Sequence, residues 1–229
     1  MRILCSLLCW IGHLPVVRFL LLVEAGLLIG LTTGILSIFD WLNYVGHSMY
    51  FGTLVGGPVL AASLLSPERR PLLLSRPLSR LALMGNLLLA AGLGWILLAV
   101  LLFSFTGIWY LLISDVSISP VDTGRTLFLR TLPALALLPH TLLFWLIFEK
   151  TLTTIFATYI IIILREPFLL NQLAALPATL FTYLIPPITA LSQARITGPM
   201  PSFELFMQLL TSTLLALLLL TWKVRNLES

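Results

Sequence analysis

The sequence predicts an all-α integral membrane protein: a bundle of six transmembrane helices, with an amphipathic N-terminal segment and one short cytoplasmic helix. Of its 229 residues, 59% are hydrophobic and 10% are charged, whereas about 25% are charged in an average soluble domain. The apolar residues fall in long uncharged runs, not in the alternating pattern of a membrane barrel. A helix needs about 20 apolar residues to cross the hydrocarbon core, and several of these runs approach or exceed that length.

One membrane domain covers residues 1–229, because no Gly/Ser-rich or Pro-rich linker divides the chain. The spans are predicted at about 17–39, 47–66, 81–106, 141–164, 168–190 and 204–222, with a cytoplasmic segment at 67–80. The N-terminal stretch before the first span has a short apolar run but no Ala-x-Ala-like cleavage site. It therefore predicts an interfacial segment and not a signal peptide.

The distribution of basic residues predicts the orientation, because Lys and Arg concentrate in cytoplasmic loops. With these spans, nine basic residues fall on one side of the membrane and three on the other. The richer side holds Arg2, Arg18, Arg69, Arg70, Arg76, Arg80, Arg165, Lys223 and Arg225; the poorer side holds Arg125, Arg130 and Arg195. Both termini are therefore predicted to be cytoplasmic, which requires an even number of spans.

The fourth crossing is the ambiguous part of the pattern. Thr131–Phe148 is apolar enough to span, but Pro133 and Pro139 interrupt it and Glu149–Lys150 ends it. This choice leaves only Thr151–Leu164 for the next crossing, about 21 Å of helix for a hydrocarbon core of about 30 Å.

The alternative is a fourth span that continues to Leu164. Glu149 and Lys150 would then lie within its outer third, paired or snorkelling towards the interface. We favour this second interpretation, in which the segment preceding the span forms an outer-face or re-entrant piece.

Glu24 is the other ionisable residue predicted within the membrane. A charged side chain at the centre of a bilayer costs at least ~2.5 kcal/mol, so Glu24 is expected to face the bundle or a wet cavity. Pairing with a residue such as Arg18 and contact with a proton or a substrate are both open from the sequence.

Three glycines of the first span, Gly26, Gly30 and Gly34, lie four residues apart and therefore on one helical face. Small residues at this spacing let two helices approach closely in lipid. This face is predicted to pack against another helix, either within the bundle or in a second copy of the protein.

No group of residues predicts catalysis or metal binding. His13, His47 and His140 lie on separate segments, and Cys5 and Cys9 have no His or carboxylate at ligand spacing. The net charge of +4 is not gathered into a basic stripe with an aromatic platform, as a nucleic-acid partner would require. The sequence therefore predicts no catalytic residue, no metal site and no cofactor bound by this chain.

The segment 67–80 is the most informative part of the sequence. It contains four basic residues, two prolines (Pro67 and Pro71) near its start and an apolar patch at Leu72–Leu74. Such a segment can form a short helix against the membrane surface with its charges towards the cytoplasm. From composition alone, an ordinary basic cytoplasmic loop is the simpler alternative.

The stretch Pro67–Arg70, followed by Leu72–Arg80, resembles the cytoplasmic loop of ABC-2-type transporter permeases, in which an acidic–basic start leads into an LLLSRPxSR stretch. The resemblance implies that this loop is a coupling helix that docks in a cleft on a separate ATP-hydrolysing subunit. The residues implied for that contact are Glu68, Arg69, Arg70, Arg76 and Arg80.

The resemblance also implies partners and a location. They are a cytoplasmic ABC ATPase that binds ATP-Mg, a second permease copy or paralogue, and the lipid bilayer of a bacterial cytoplasmic (inner) membrane, with transport in the direction of export. The chain has no Gly-x-x-x-x-Gly-Lys-Ser/Thr phosphate loop, so the nucleotide chemistry would come from the partner. A non-catalytic membrane scaffold or assembly protein is the alternative.

Overall fold

Every regular element that the structure describes is an α-helix. The computed structural model describes residues 53–59, 120–164, 182–187 and 201–226, most positions within 79–100, and isolated positions within 18–33 and at 62 and 191. No β-strand occurs among these residues. Three helices are bounded at both ends and are labelled α1 (Pro120–Phe148), α2 (Thr151–Leu164) and α3 (Phe203–Asn226).

Two of the described helices are long and apolar enough to cross a membrane: the Thr131–Phe148 part of α1, and α3. Helix α1 begins at Pro120. Proline is favourable at the first helical position, because the N–H that it lacks would have no partner within the helix there. The helix then continues through Pro133 and Pro139. Interior prolines are tolerated where neighbouring helices and hydroxyl side chains satisfy the backbone groups they leave free.

Helix α1 ends at Phe148, and this corrects the predicted continuous span at 141–164. Glu149 has a φ of 53°, a left-handed conformation that a helix cannot continue. Its N–H still donates to the carbonyl of Trp145 at 2.7 Å, and the N–H of Thr154 donates to the carbonyl of Lys150 at 3.0 Å as α2 begins. Glu149 and Lys150 are both exposed in the turn, not held inside one long helix.

Helix α2 folds back along α1 to form an αα-hairpin. Ile162 of α2 packs with Leu137 of α1 and with Leu54 of the 53–59 helical segment. Ile162 follows the turn by about as many residues as Leu137 precedes it, as two antiparallel helices joined by a two-residue turn require. The hairpin therefore buries one face of α2 against α1. The same face would lack this contact if α1 and α2 formed one longer helix.

The left-handed conformation of Glu149 in the turn can be tested by substitution. Replacing Glu149 with glycine should stabilise the protein by about 0.5–1 kcal/mol, because glycine adopts a positive φ without steric cost. Thermal or SDS-induced unfolding of the purified protein in micelles measures the change. Lys150→Gly is the matched control, since Lys150 has no positive φ; equal effects of the two substitutions would argue against strain at Glu149.

Helix α3 runs parallel to α1. Near their N-terminal ends the rings of Phe128 and Phe206 lie 6.0 Å apart between centroids. Near their C-terminal ends, Leu220 and Val224 join Leu142 in the largest buried cluster of the described residues. The predicted last span at 204–222 therefore lies within one continuous helix.

The ends of α3 have the expected capping chemistry. The hydroxyl of Ser202 accepts a hydrogen bond from the N–H of Leu205 at 3.4 Å, which satisfies one of the free N–H groups of the first turn. Glu204 lies in that first turn, and Lys223 and Arg225 lie in the last. Each charge therefore complements the helix dipole.

The two N-terminal helical stretches pack on α1 in opposite directions. In the 53–59 segment, Leu54 meets Leu137 and Gly57 meets Thr141, so this segment runs parallel to α1. The Met84–Gly94 helix runs the other way. Its C-terminal end places Gly92 near Leu135, while its N-terminal end lies beside the C-terminal half of α3. The described helices thus alternate in direction along the chain, as successive spans do.

The described part of the predicted span at 168–190 covers residues 182–187 only. Residues 182–184 are helical, and Ile185, Pro186 and Pro187 are not. Consecutive prolines have no N–H to donate and restrict the residue before them to an extended conformation. The helix therefore stops before the predicted end of this span.

Candidate functional site

The predicted coupling residues lie outside the described part of the chain. They are Glu68, Arg69, Arg70, Arg76 and Arg80. The same holds for Glu24 and for Gly34. Of the other two glycines of the predicted packing face, Gly26 is exposed and Gly30 is partly buried, and a Cβ added at Gly26 would meet nothing within 4 Å. Their part in a contact between copies stays a prediction.

The helix directions gather basic residues at one end of the bundle. Helices α1 and α3 are parallel, so the Glu149–Lys150 turn and the residues Lys223 and Arg225 lie at the same end. The 53–59 segment runs towards this end, and the Met84–Gly94 helix leads away from it. In each of the two helices that flank residues 67–80, the end next to that loop therefore lies at the basic end of the bundle.

Buried polar atoms of α1 are a second candidate for a functional site. His140 is 7% exposed, and its Nδ1 donates to the carbonyl of Ala136 at 2.9 Å. This arrangement leaves Nε2 as a buried acceptor. The Nε1 of Trp145 and the Nε and Nη2 of Arg125 are also buried, and none of these four atoms has a hydrogen-bond partner among the described residues.

These unpartnered groups do not converge on one point. Arg125 and His140 are fifteen residues apart on one helix, about 22 Å along its axis. His140 and Trp145 are five residues apart, which places them on different faces. No group of three or more His, Cys, Asp or Glu residues within the described ranges could hold a metal ion. The unpartnered groups are separate polar groups inside an apolar core.

Small and hydroxyl residues, here called the seam, lie on the buried faces of α1, α2 and the 53–59 segment. Thr141, Thr154 and Thr158 are fully buried. The hydroxyls of Thr141 and Thr158 each donate to a carbonyl of their own helix at 2.8 Å, and that of Thr154 donates to the carbonyl of Lys150 in the turn at 2.9 Å. A Cβ added at Gly57 would overlap the hydroxyl of Thr141 and lie 3.0 Å from its Cβ. The 53–59 segment and α1 therefore approach each other as closely as glycine permits, which is how helices associate in lipid.

The sequence interpretation did not single out this seam. The sequence contains Gly52 and Gly56 as a small-residue pair, whereas the close approach occurs at Gly57, one position after Gly56. The signal in the sequence was the spacing of Thr154 and Thr158, four residues apart on one face of α2. Hydroxyl residues at this spacing mark helix-packing faces in membranes as glycines do.

Comparison of the chain with protein-family models, with curated proteins and with solved structures finds no match.

Proposed function

We propose that this chain is the membrane-spanning subunit of an ATP-driven transporter of the ABC-2 type, working in export and coupled to a separate cytoplasmic ATPase through the 67–80 loop. The observation that carries the proposal is the common end reached by the 53–59 segment, the Met84–Gly94 helix, the hairpin turn and the C-terminus of α3. A coupling loop between the second and third spans needs this arrangement. The resemblance of Pro67–Arg80 to a permease coupling loop identifies the charged residues that would contact the ATPase.

The exposed surface of α3 supports a membrane location. Leucines at positions 210, 214, 218 and 219 are 44–67% exposed, and Trp222 is 61% exposed. Such a contiguous apolar face is rare on a soluble monomer, whereas hydrocarbon solvates it without cost. Trp222, near the basic end, is a residue type that anchors helices at the interface.

In the proposed topology, six spans remain but their identity changes. The first three predicted spans are followed by α1, α2 and α3 as the fourth, fifth and sixth crossings. Both termini are then cytoplasmic, with the Glu149–Lys150 turn. Helix α2 is about 21 Å long, so the bilayer thins locally around it, and Lys150, which precedes it, snorkels towards the interface.

Coupling through the loop requires charge as well as shape. Arginine pairs with carboxylates by two parallel hydrogen bonds, and reversing its charge turns that attraction into repulsion. The double substitution Arg76→Glu/Arg80→Glu should therefore reduce recovery of the ATPase with the purified chain by about tenfold or more. Membrane insertion should not change.

Affinity purification of the tagged full-length chain, followed by identification of any subunit with a phosphate loop, measures this effect. Lys150→Glu is the control, because Lys150 is an exposed basic residue at the same end of the bundle but outside the loop. Undiminished ATPase recovery and ATP turnover in the double variant would overturn the coupling role. Recovery of the wild-type chain without any ATPase would favour a membrane scaffold.

A further inference from the structure

An open apolar groove of about 210 Å³ lies between the Met84–Gly94 helix and the C-terminal half of α3. Its floor contains Met84 and Leu220, which are buried, and its α3 wall includes the half-exposed Leu214. Gly85 leaves a gap in the opposite wall, where an added Cβ would meet nothing within 4 Å. A flexible hydrocarbon chain can occupy such a groove, because apart from one threonine its lining is glycine and aliphatic or thioether side chains.

The groove begins at the basic end of the bundle. It extends from Leu81 to Leu88 along one helix and from Thr221 to Leu214 along the other. Seven residues of helix correspond to about 10 Å, or about a third of the hydrocarbon core. The groove therefore covers the depth occupied by the first part of an acyl chain, below its headgroup.

A positively charged residue lies just beyond the groove at that end. Leu214, Leu218, Thr221 and Arg225 are spaced by four, three and four residues, so they lie on one stripe of α3. Arg225 is exposed and follows Thr221 by one helical turn. Lys223 is two positions after Thr221 and falls on a different face of the helix.

We propose that this groove binds an anionic phospholipid of the surrounding bilayer, with one acyl chain in the groove and the phosphate paired with Arg225. The apolar lining matches the chain. The guanidinium matches a phosphate because it donates two parallel hydrogen bonds. The inference rests on the membrane location in the proposed function, but it does not depend on coupling to an ATPase.

The first test fills the groove. The full-length chain is purified, equilibrated in mixed micelles with equal amounts of phosphatidylglycerol and phosphatidylcholine, and analysed by native mass spectrometry. Wild type should retain one phosphatidylglycerol. Gly85→Leu should reduce this retention by about tenfold, because the new side chain occupies the open gap. Gly124→Leu is the control, since Gly124 is an equally open glycine away from the groove.

The second test removes the charge. A basic residue near the membrane surface contributes about fivefold to the binding of an anionic lipid. Arg225→Gln should therefore lower the ratio of retained phosphatidylglycerol to phosphatidylcholine by about fivefold. Lys223→Gln, which removes the same charge at the same depth from another face, should change that ratio by less than about twofold.

A third variant guards against misfolding of Gly85→Leu. Leu218 is 67% exposed in the wall of the groove, so Leu218→Trp fills the groove from α3 without disturbing the core, and it should lower retention in the same way. Wild-type lipid retention in both filling variants, or equal effects of Arg225→Gln and Lys223→Gln, would overturn the proposal. The proposal would also be overturned if the filling variants lost a dimer that wild type forms while their lipid retention stayed unchanged. The groove would then be a contact with a second copy of the chain.

Failure of the lipid site is distinguishable from failure of the proposed function. If alkaline carbonate releases the chain from cell membranes, the membrane location itself is wrong and both proposals fall. A chain that stays in the membrane and binds no phosphatidylglycerol in the groove contradicts the lipid site alone. The ATPase co-purification tests the coupling role in the proposed function and does not depend on the lipid result.

Discussion

Replacing Gly57 with alanine is expected to destabilise the protein by about 1–3 kcal/mol, the usual cost of adding a methyl group to a well-packed core. The added Cβ overlaps the hydroxyl of Thr141. Rotating the Thr141 side chain does not relieve the overlap, because its Cβ is already 3.0 Å and its Cγ2 3.6 Å from the new atom. The 53–59 segment and α1 must therefore move apart, and Gly57→Leu should cost more still.

Unfolding by SDS titration in mixed micelles measures this effect, and two other glycines of the chain are its controls. A Cβ at Gly85 meets nothing within 4 Å, and one at Gly92 comes only to 3.7 Å from Cδ2 of Leu135. Alanine at either position should be neutral or slightly stabilising, since alanine favours a helix over glycine by about 1 kcal/mol.

A double substitution tests the contact itself. In Gly57→Ala/Thr141→Ala the hydroxyl and Cγ2 of Thr141 are gone and only the 3.0 Å approach to its Cβ remains, so part of the lost stability should return as a coupling between the two sites. Additive losses in the double variant would show that Gly57 matters for another reason.

The second large effect is expected at Trp145. Its side chain is 2% exposed within the largest buried cluster, together with Leu142 and Leu146 of the same helix and Leu220 and Val224 of α3. Trp145→Ala removes most of that volume and should destabilise the protein by about 3–5 kcal/mol. Loss of α3 packing should appear as a lower unfolding midpoint and as faster proteolysis of the C-terminal helix.

Trp145→Phe separates packing from hydrogen bonding. The Nε1 of Trp145 is buried without a partner among the described residues, and an unsatisfied buried donor costs about 1–3 kcal/mol. Phenylalanine removes this group but leaves some volume unfilled, so the net change should stay within about 1 kcal/mol. A loss as large as that of Trp145→Ala would reveal that the indole N–H has a partner in the protein or in a bound ligand.

Much of the helical content followed from hydropathy and spacing. The predicted last span at 204–222 lies within α3, because its apolar run is long and is bounded by Ser202 at one end and by Lys223 and Arg225 at the other. Helix at 141–148 and 151–164 was also predicted. The break at Glu149 between these stretches was not, because glutamate in a left-handed conformation has no local sequence signal comparable to a glycine.

The sequence by itself determined that the chain is rich in long apolar runs and that its basic residues are unevenly distributed, while the coupling role of 67–80 stays a prediction. These properties follow from composition and from spacing along one chain. Only the tertiary structure decided that α2 turns back on α1, that α3 runs parallel to α1, and that Gly57 meets Thr141. The physical reason is that every apolar helix here has several faces of similar hydropathy. The choice between these faces depends on which shapes fit together across the interface, and one helix read alone does not contain that information.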